Sequence, residues 1–315
     1  MLLRVRSITY LTDEIYAYEL ADPNGRDLPR FAAGAHVAVR IGAGVWRDYS
    51  LWNDPAERRR YCIAVLRDKQ GLGSRQLHDA VRVGDIAEVS WPRNNFPLAE
   101  TADRHLLIAG GIGITPIMAM IAELRRRRAD FRLHYCARTP EKTAFREELD
   151  LLAATGRVVF HFDGGDPTKG LDIAALLREP RPGTHLYYCG PAGLMRAAAE
   201  AAAHWPDGTV HCEYFTGPAA ARPAALEDDQ PFRIRLAKSG GDYEVPPGET
   251  ILQVLRRSGV DVRASCELGY CGTCLTRYLG GEVDHRDQIL NETARKTYLL
   301  TCCARAKGDE LVLDL

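Results

Sequence analysis

The stretch Cys266-Glu-Leu-Gly-Tyr-Cys271-Gly-Thr-Cys274 has the spacing C-x4-C-x2-C, and two more cysteines follow at Cys302 and Cys303. This is the spacing of plant-type 2Fe–2S sites, in which four thiolates hold two irons. The alternatives are a zinc site or unpaired core thiols, but zinc sites usually pair two C-x2–4-C knuckles and this segment has one. We therefore predict a 2Fe–2S cluster bound by Cys266, Cys271, Cys274 and either Cys302 or Cys303.

The residues on both sides of this loop predict a small separate domain. Residues 232–237 and 243–245 have the pattern of short strands, residues 251–257 that of a helix capped by Thr250, and residues 310–315 that of a closing strand. Residues 217–230 are rich in Ala, Pro and acidic side chains without periodicity, which is typical of a linker. The sequence thus predicts an α+β, β-grasp-like ferredoxin domain over residues 231–315.

Upstream of the linker, short apolar runs alternate with helical stretches. This alternation predicts a doubly wound α/β domain with a parallel sheet over residues 101–216. The predicted strands cover residues 105–109, 131–136, 157–162, 185–189 and 209–212, and the predicted helices cover residues 116–128, 143–153, 172–178 and 192–204.

Two strand ends in this domain carry candidate nucleotide-binding residues. The run from Leu106 to Pro116 contains a GxG at Gly111 and Gly113, and Thr115 is expected to cap the following helix with Pro116 in its first position. Such a helix N-terminus offers backbone amides and a positive dipole end to a pyrophosphate. The run Tyr187-Tyr-Cys189-Gly-Pro191 ends another strand, where open α/β sheets bind ligands. An ordinary tight turn and a merely buried cysteine are the structural alternatives.

The first hundred residues contain short strand-like runs separated by Gly and Pro, which predicts an antiparallel β-barrel or sandwich. Within it, Arg47-Asp-Tyr-Ser-Leu51 combines an arginine, an aromatic ring and a hydroxyl on one predicted strand. An arginine fork pairs well with phosphate, and a ring and a hydroxyl suit a flat cofactor. Taken alone, the run favours an ordinary structural strand.

The chain has 315 residues, of which 46% are hydrophobic and 26% charged, with a formal net charge of −1. This length suits two or three domains, and the charge balance gives no global signature of nucleic-acid binding. No apolar run approaches the roughly 18 residues of a membrane span, and the first residues are typical of a strand rather than a signal peptide. We therefore expect a soluble cytoplasmic protein, and nine cysteines, an odd number, argue against a disulfide scaffold.

The order of these three patterns resembles the phthalate dioxygenase reductase family of the ferredoxin–NADP reductase superfamily. The resemblance extends over nearly the whole chain and is carried by Arg47–Leu51 and by residues 92–98, 109–116, 189–191, 211–215, 285–287 and 311–315. Ferredoxin-like loops have Leu-Thr-Cys at the fourth ligand, and Leu300-Thr301-Cys302 matches, which favours Cys302. Cys303 is then a small core residue.

The resemblance implies a cofactor for each unit. It implies FMN in a flavin-binding β-barrel over residues 1–100, NADH in the α/β domain and the 2Fe–2S cluster in the ferredoxin domain. The residues expected to bind FMN are Arg47, Tyr49, Ser50, Ala64, Val65, Gly73, Ser74 and Phe215. The residues expected to meet NADH are Gly111, Thr115 and Cys189, and the candidate catalytic residues are Ser50, Cys189 and Glu213.

The resemblance also implies an electron path. Electrons pass from NADH to the flavin, then one at a time to the cluster, and from the cluster to a terminal oxygenase. A Rieske-type oxygenase with non-haem iron is the expected partner and a haem-thiolate monooxygenase the alternative. We expect a monomer that binds neither nucleic acid nor a membrane. Two other functions stay open: a ferredoxin module without NADH turnover, and a flavin reductase whose cluster is only structural.

Overall fold

The structure is a computed structural model that describes residues 1–41, 45–67, 72–215, 229–262, 264, 267, 269, 272–287 and 289–315. The chain forms two compact units that divide between residues 215 and 216. Most of the predicted linker, residues 217–228, lies outside the described residues, and the predicted boundaries at residues 100 and 230 stay predictions. Among the described residues, every helix is too short or too polar to span a membrane.

Antiparallel strands make up the N-terminal part of the first unit, as predicted. Its elements are β1 (Leu2–Thr12), β2 (Ile15–Ala21), β3 (Ala35–Ile41), β4 (Val45–Ser50), β5 (Tyr61–Leu66), α1 (Leu72–Ala80), β6 (Ile86–Glu88) and β7 (Arg93–Asn94). One sheet has the strand order β5-β2-β1-β6 and the other the order β4-β3-β7. Single bridges, Val39 to Val89 and Leu51 to Ile63, connect the two sheets around one apolar core.

The sequence of β1 shows why these segments form strands. Leu3 and Val5 are buried and Arg4 and Arg6 are exposed, which is the alternation of a strand with one face on a core. Gly73 and Ser74, two of the residues expected to bind FMN, lie in the first turn of helix α1.

The rest of the first unit is a parallel sheet with helices, which confirms the predicted α/β class. Its elements are β8 (Arg104–Gly110), α2 (Ile114–Arg127), β9 (Asp130–Ala137), α3 (Arg146–Ala154), β10 (Val158–Phe162), α4 (Ile173–Leu177), β11 (Thr184–Cys189), α5 (Ala192–Ala201) and β12 (Val210–Glu213). Within residues 72–215 the strand order is β10-β9-β8-β11-β12, all parallel. Helix α3 begins three residues later than predicted, because the backbone of Phe145 is left-handed at φ 60°.

Two histidine pairs connect neighbouring strands of this sheet. Nδ1 of His134 lies 3.0 Å from Nε2 of His161, and Nδ1 of His185 lies 2.9 Å from Nε2 of His211. Burial, and then the neighbouring imidazole, lowers the pKa of His134 and of His211 to about 4. Both rings are therefore neutral in the folded protein at neutral pH.

These pairs predict a loss of stability on mild acidification. In the unfolded chain, His134 and His211 are protonated below the ordinary histidine pKa of 6.5, whereas in the folded protein they stay neutral down to about pH 4. The unfolded state therefore binds more protons between pH 6.5 and pH 4, and the free energy of unfolding falls as pH falls through this range. We expect the melting temperature to fall less between pH 7 and pH 5 in His134→Gln/His211→Gln than in the parent. His204→Gln, on an exposed ring, is the control, and parallel curves for parent and double variant would contradict the prediction.

The second unit has the predicted α+β composition. Its elements are β13 (Phe232–Leu236), β14 (Asp242–Val245), α6 (Ile251–Arg257), β15 (Leu275–Gly280), β16 (Val283–Asp284), α7 (Glu292–Arg295), β17 (Tyr298–Leu300), β18 (Arg305–Ala306) and β19 (Glu310–Leu313). The main sheet has the order β14-β13-β19-β15-β17 among the described residues. Thr250 caps α6 as predicted, in a capping box with Gln253.

A buried ion-pair group fixes the beginning of this unit. Asp229 accepts from Arg286 at 2.6 Å and lies 3.5 Å from Arg305, whose side chain is 6% exposed. The Arg305 guanidinium also donates to the main-chain oxygens of Glu249 and Gln230 at 2.7 and 2.9 Å. Because these charges are paired and hydrogen-bonded, their burial is tolerated.

Candidate functional site

The two predicted nucleotide-binding loops pack against each other at the carboxyl ends of β8 and β11. A Cβ atom added to Gly113 would lie 2.3 Å from the main-chain oxygen of Cys189, and one added to Gly110 would lie 2.7 Å from Cδ of Pro191. Gly113 is therefore required by the close approach of the Cys189 backbone, and Gly110 by the close approach of the Pro191 ring. The structure thus brings together two motifs that lie about 80 residues apart in the sequence.

Gly111 differs from its neighbours because its Cβ position is open. Its φ is +52° and no atom lies within 4 Å of an added Cβ. The hydroxyl of Tyr135 donates to the main-chain oxygen of Gly111 at 3.2 Å and fixes the orientation of this peptide group. The predicted role of Gly111, close approach to a nucleotide, is compatible with this open, fixed turn. Tyr135 was not predicted, because a tyrosine within an apolar strand carries no local signal of this contact.

The predicted helix cap at Thr115 is wrong. Helix α2 begins at Ile114, its N-cap is Gly113, and no side chain caps it. The Thr115 hydroxyl is buried and donates to the main-chain oxygen of Ile112 at 3.0 Å, because the short 3-10 helix Gly111–Gly113 moves the start of α2 forward. The two residues expected at the cap and first position, Thr115 and Pro116, therefore lie inside the first turn. The nucleotide-binding role of Thr115 stays a prediction.

The three candidate catalytic residues lie together. Oγ of Ser50, at the end of β4, donates to Oε2 of Glu213 at 3.4 Å. Glu213 ends β12 and pairs in register with Cys189 on β11. A hydroxyl from the antiparallel part, a carboxylate and a thiol thus meet where the two parts of the first unit join.

Burial decides the protonation of this group. Cys189 is fully buried, and burial followed by the Glu213 charge raises the pKa of its thiol well above the ordinary value. The thiol therefore stays neutral at physiological pH, where it can donate one weak hydrogen bond and does not act as a thiolate nucleophile. The Cys189 thiol can therefore help to position a ligand but does not attack it.

The strand that carries Arg47 also places Tyr49 against the antiparallel core. Burial raises the pKa of the Tyr49 hydroxyl, so this ring is neutral at every physiological pH. Ala64 and Val65 lie on the buried strand β5, and Ala64 belongs to the same apolar cluster as Ile114 of α2. The predicted flavin strands thus lie beside the predicted nucleotide turn.

The first turn of α1, where Gly73 and Ser74 lie, is another part of the candidate flavin site. This turn contains no acidic residue of its own, so no side chain within it opposes the positive end of the helix dipole. At the other end of the same helix, Nε2 of His78 lies 2.9 Å from the main-chain oxygen of Val65 and joins α1 to β5. His78 was not predicted, since a lone histidine on a short helix carries no sequence signal.

Phe215 is the last described residue before residue 229 and is 36% exposed. It follows β12 two residues after Glu213, so its ring is available to a flat cofactor beside the Ser50–Glu213 contact. Its contact with flavin stays a prediction.

The candidate cluster site is partly described. Cys266 and Cys271 lie outside the described residues, whereas Cys274 and Cys302 are both buried. The thiol of Cys302 is hydrogen-bonded to the thiols of both Cys274 and Cys303, and the amide of Gly269 donates to the Cys302 sulfur. Gly269 has φ +80°, and an added Cβ would lie 2.9 Å from Sγ of Cys303. Two soft thiol donors and a backbone amide therefore converge at the cysteine loop, a donor set that suits an iron–sulfur cluster.

Cys303 has a second hydrogen bond, to the main chain. Its thiol donates to the oxygen of Leu300 at 3.7 Å, and the residue is 2% exposed. Cys274, Cys302 and Cys303 all pack in the apolar core of the second unit. The assignment of Cys302 rather than Cys303 as the fourth ligand stays a prediction.

Comparison with known proteins places the chain in a family. Residues 107–200 match the model of the oxidoreductase NAD-binding domain, and residues 234–307 match that of the 2Fe-2S iron-sulfur cluster binding domain. The tert-butanol monooxygenase / tert-amyl alcohol desaturase reductase subunit of Aquincola tertiaricarbonis is 51% identical over 99% of this chain and 95% of its own length. A solved phthalate dioxygenase reductase is 44% identical, with a TM-score of 0.74 over 100% of this chain and 98% of that one. This chain belongs to the phthalate dioxygenase reductase family.

Family membership confirms the predicted activity and cofactors. The chain is an NADH-dependent oxidoreductase, the reductase component of an oxygenase system. FMN, NADH and a 2Fe–2S cluster are its cofactors, as they are for phthalate dioxygenase reductase. The chain also resembles part of an intact type IV self-sufficient cytochrome P450 monooxygenase, at 38% identity and a TM-score of 0.85 over 100% of this chain and 41% of that one.

Proposed function

We propose that this reductase delivers electrons to a Rieske-type terminal oxygenase with non-haem iron and that the predicted site residues hold its cofactors. The contact between Ser50 and Glu213 carries the site assignment, because it joins the flavin strand to the nucleotide sheet at the strand ends. The domain boundaries at residues 100, 216 and 230, a monomeric state and a cytoplasmic location belong to the same proposal.

The cofactors supply the redox chemistry: FMN exchanges two electrons with NADH and one at a time with the cluster. The protein's own side chains bind and orient. Arg47 and the first turn of α1 hold phosphate, and Tyr49 and Phe215 cover the ring. The Gly111 turn and neutral Cys189 hold the nicotinamide nucleotide. Ser50, oriented by Glu213, presents its hydroxyl at the reacting edge.

We expect Arg47→Ala to lower the FMN content of the purified protein. A guanidinium–phosphate pair lost from a partly buried site costs roughly tenfold or more in affinity. FMN released by denaturation and measured by fluorescence, per mole of protein, tests this. Arg40→Ala removes an exposed arginine of the same sheet, whose partner is Glu88, and is the control. Full FMN occupancy in Arg47→Ala would remove Arg47 from the phosphate site.

A haem-thiolate monooxygenase is the second candidate partner, because the likeness to a self-sufficient cytochrome P450 covers the whole of this chain. Reconstitution of the reductase with each purified oxygenase distinguishes the two candidate partners. NADH consumption coupled to product formation is measured with a purified Rieske oxygenase and, in parallel, with a purified cytochrome P450. Coupled turnover with the Rieske oxygenase alone supports the proposal, and coupled turnover with the cytochrome P450 alone would overturn it.

A further inference from the structure

A cavity of about 490 Å³ lies at the amino ends of the parallel strands, on the edge of the sheet opposite to Cys189 and Glu213. Its lining includes the first residue of β8, Arg104, and the first residue of β11, Thr184. The seven residues of β8 separate this edge from Gly110, which at 3.3 Å per residue is roughly 20 Å. The cavity is therefore separate from the candidate nucleotide site.

The lining of this cavity is rich in arginine. Arg104, Arg132, Arg157 and Arg181 line it, against only two carboxylates, Asp130 and Glu179. Asp130 pairs with Arg104 at 3.3 Å. Among the described residues, the guanidinium groups of the other three arginines have no carboxylate within 4 Å.

One of these arginines is held in place by an aromatic ring. The guanidinium carbon of Arg157 lies 5.3 Å from the centroid of the Phe131 ring, a cation–π contact that leaves its N–H groups free to donate. Arginines without carboxylate partners around a concave surface are donors for an anion, and a carboxylate can be bound through two parallel hydrogen bonds.

The cavity also has an apolar wall. Leu106 and Leu176 are half-buried, and Trp205 is 7% exposed with its indole N–H donating to the main-chain oxygen of Leu177 at 2.9 Å. The tryptophan therefore offers the cavity carbon surface rather than a hydrogen-bond donor. An inorganic anion would leave this wall uncovered, whereas a ligand with a flat apolar body would cover it.

One lining residue, Thr184, has a side-chain oxygen without a hydrogen-bond partner in the described part of the chain. This atom, Oγ1, is buried. Thr184 pairs in register with Arg104 on β8, so the two side chains share one face of the sheet. Unpaired buried polar atoms are uncommon in native proteins, and a ligand or ordered water in the cavity would supply the missing partner.

From this combination we propose that the cavity is a binding site for a small organic anion, with the carboxylate among the arginines that lack a carboxylate partner, Arg132, Arg157 and Arg181, and an aromatic body against Leu106, Leu176 and Trp205. The ligand class is an aryl carboxylate. A volume of about 490 Å³ is within the range of small-molecule sites and is ample for one substituted benzene ring. The site lies in the nucleotide-binding domain but away from the electron path, so a ligand here acts on the domain without competing with NADH.

Isothermal titration of the complete, cofactor-loaded protein with benzoate tests the proposal. We expect saturable binding that persists in the presence of saturating NAD+ and that weakens about a hundredfold in Arg132→Gln/Arg157→Gln, because each lost charge-assisted bond costs about a factor of ten. Both arginines are exposed, so the variant should fold, and its melting temperature without benzoate checks this. Arg196→Gln, an exposed arginine on α5 outside the cavity, is the matched control.

Two further probes test the aromatic ring and the charge of the ligand separately. Benzyl alcohol keeps the ring without the charge, and inorganic phosphate keeps the charge without the ring, so both should bind at least about tenfold more weakly than benzoate. Benzoate binding that is unchanged in the double variant, is abolished by NAD+, or is matched by either probe would overturn the proposal. So would the absence of saturable benzoate binding.

Discussion

Serine in place of Cys302 is expected to abolish one-electron delivery, whereas serine in place of Cys303 leaves it intact. With NADH as donor, cytochrome c reduction should fall on the order of a hundredfold in Cys302→Ser, since a lost direct ligand costs at least as much as a lost outer-shell partner. Ferricyanide reduction through the flavin should stay within about twofold of the parent. Iron analysis should find about two irons per chain in the parent and in Cys303→Ser, and few in Cys302→Ser.

The different results expected for Cys302→Ser and Cys303→Ser depend on what each thiol contacts. Cys302 is hydrogen-bonded to both Cys274 and Cys303 and accepts from the Gly269 amide, whereas Cys303 also donates to the main-chain oxygen of Leu300, a bond that a serine hydroxyl can replace. The two variants differ by one position, are almost equally buried and carry the same chemical change, so unfolding would affect both. Iron retained in Cys302→Ser and lost in Cys303→Ser would reverse the assignment.

Cys274→Ser distinguishes the electron-delivery function from its alternatives. The variant should keep NADH-dependent flavin reduction and lose cytochrome c reduction. A flavin reductase with a structural cluster would show little cytochrome c reduction through the cluster even in the parent. A ferredoxin module without NADH turnover would reduce neither acceptor with NADH.

Sequence patterns predicted the fold where local chemistry and the final structure agree. Thr250 precedes an apolar run with Gln253 three residues later, and this local signal predicted α6 with its observed bounds. The alternation of strands and helices likewise predicted the parallel sheet, because four of its five strands are each followed by a helical stretch. Spacing alone identified the cysteine loop, since cluster ligation depends on it directly.

Tertiary contacts decided what the sequence could not. Thr115 and Pro116 have the composition of a helix start, yet α2 begins earlier, because Gly113 must approach the Cys189 backbone and the turn before it tightens into a 3-10 helix. Neither the Tyr135 contact with Gly111 nor the arginine-lined cavity has a local signature. Arg104, Arg132, Arg157 and Arg181 come from four separate segments that only the sheet brings together.

The second large effect is expected at the Ser50–Glu213 contact. Anaerobic stopped-flow reduction of the flavin by NADH should slow about tenfold in Ser50→Ala and in Glu213→Gln, because the 3.4 Å contact orients the Ser50 hydroxyl. Flavin content and cluster absorbance should be unchanged in Glu213→Gln, which keeps the shape of the side chain. Glu200→Gln, on an exposed position of α5, should reduce at the parental rate.

A double variant tests whether Glu213 acts through Ser50 or on its own. If the carboxylate serves only to orient the hydroxyl, Ser50→Ala/Glu213→Gln should be no slower than the slower single variant, because the second change removes an interaction that the first has already lost. Rate effects that multiply would instead assign Glu213 an independent role, such as polarising Cys189, with which it pairs in register and whose thiol pKa its charge helps to raise. A Glu213→Gln variant with the parental reduction rate would remove the carboxylate from the hydride path altogether.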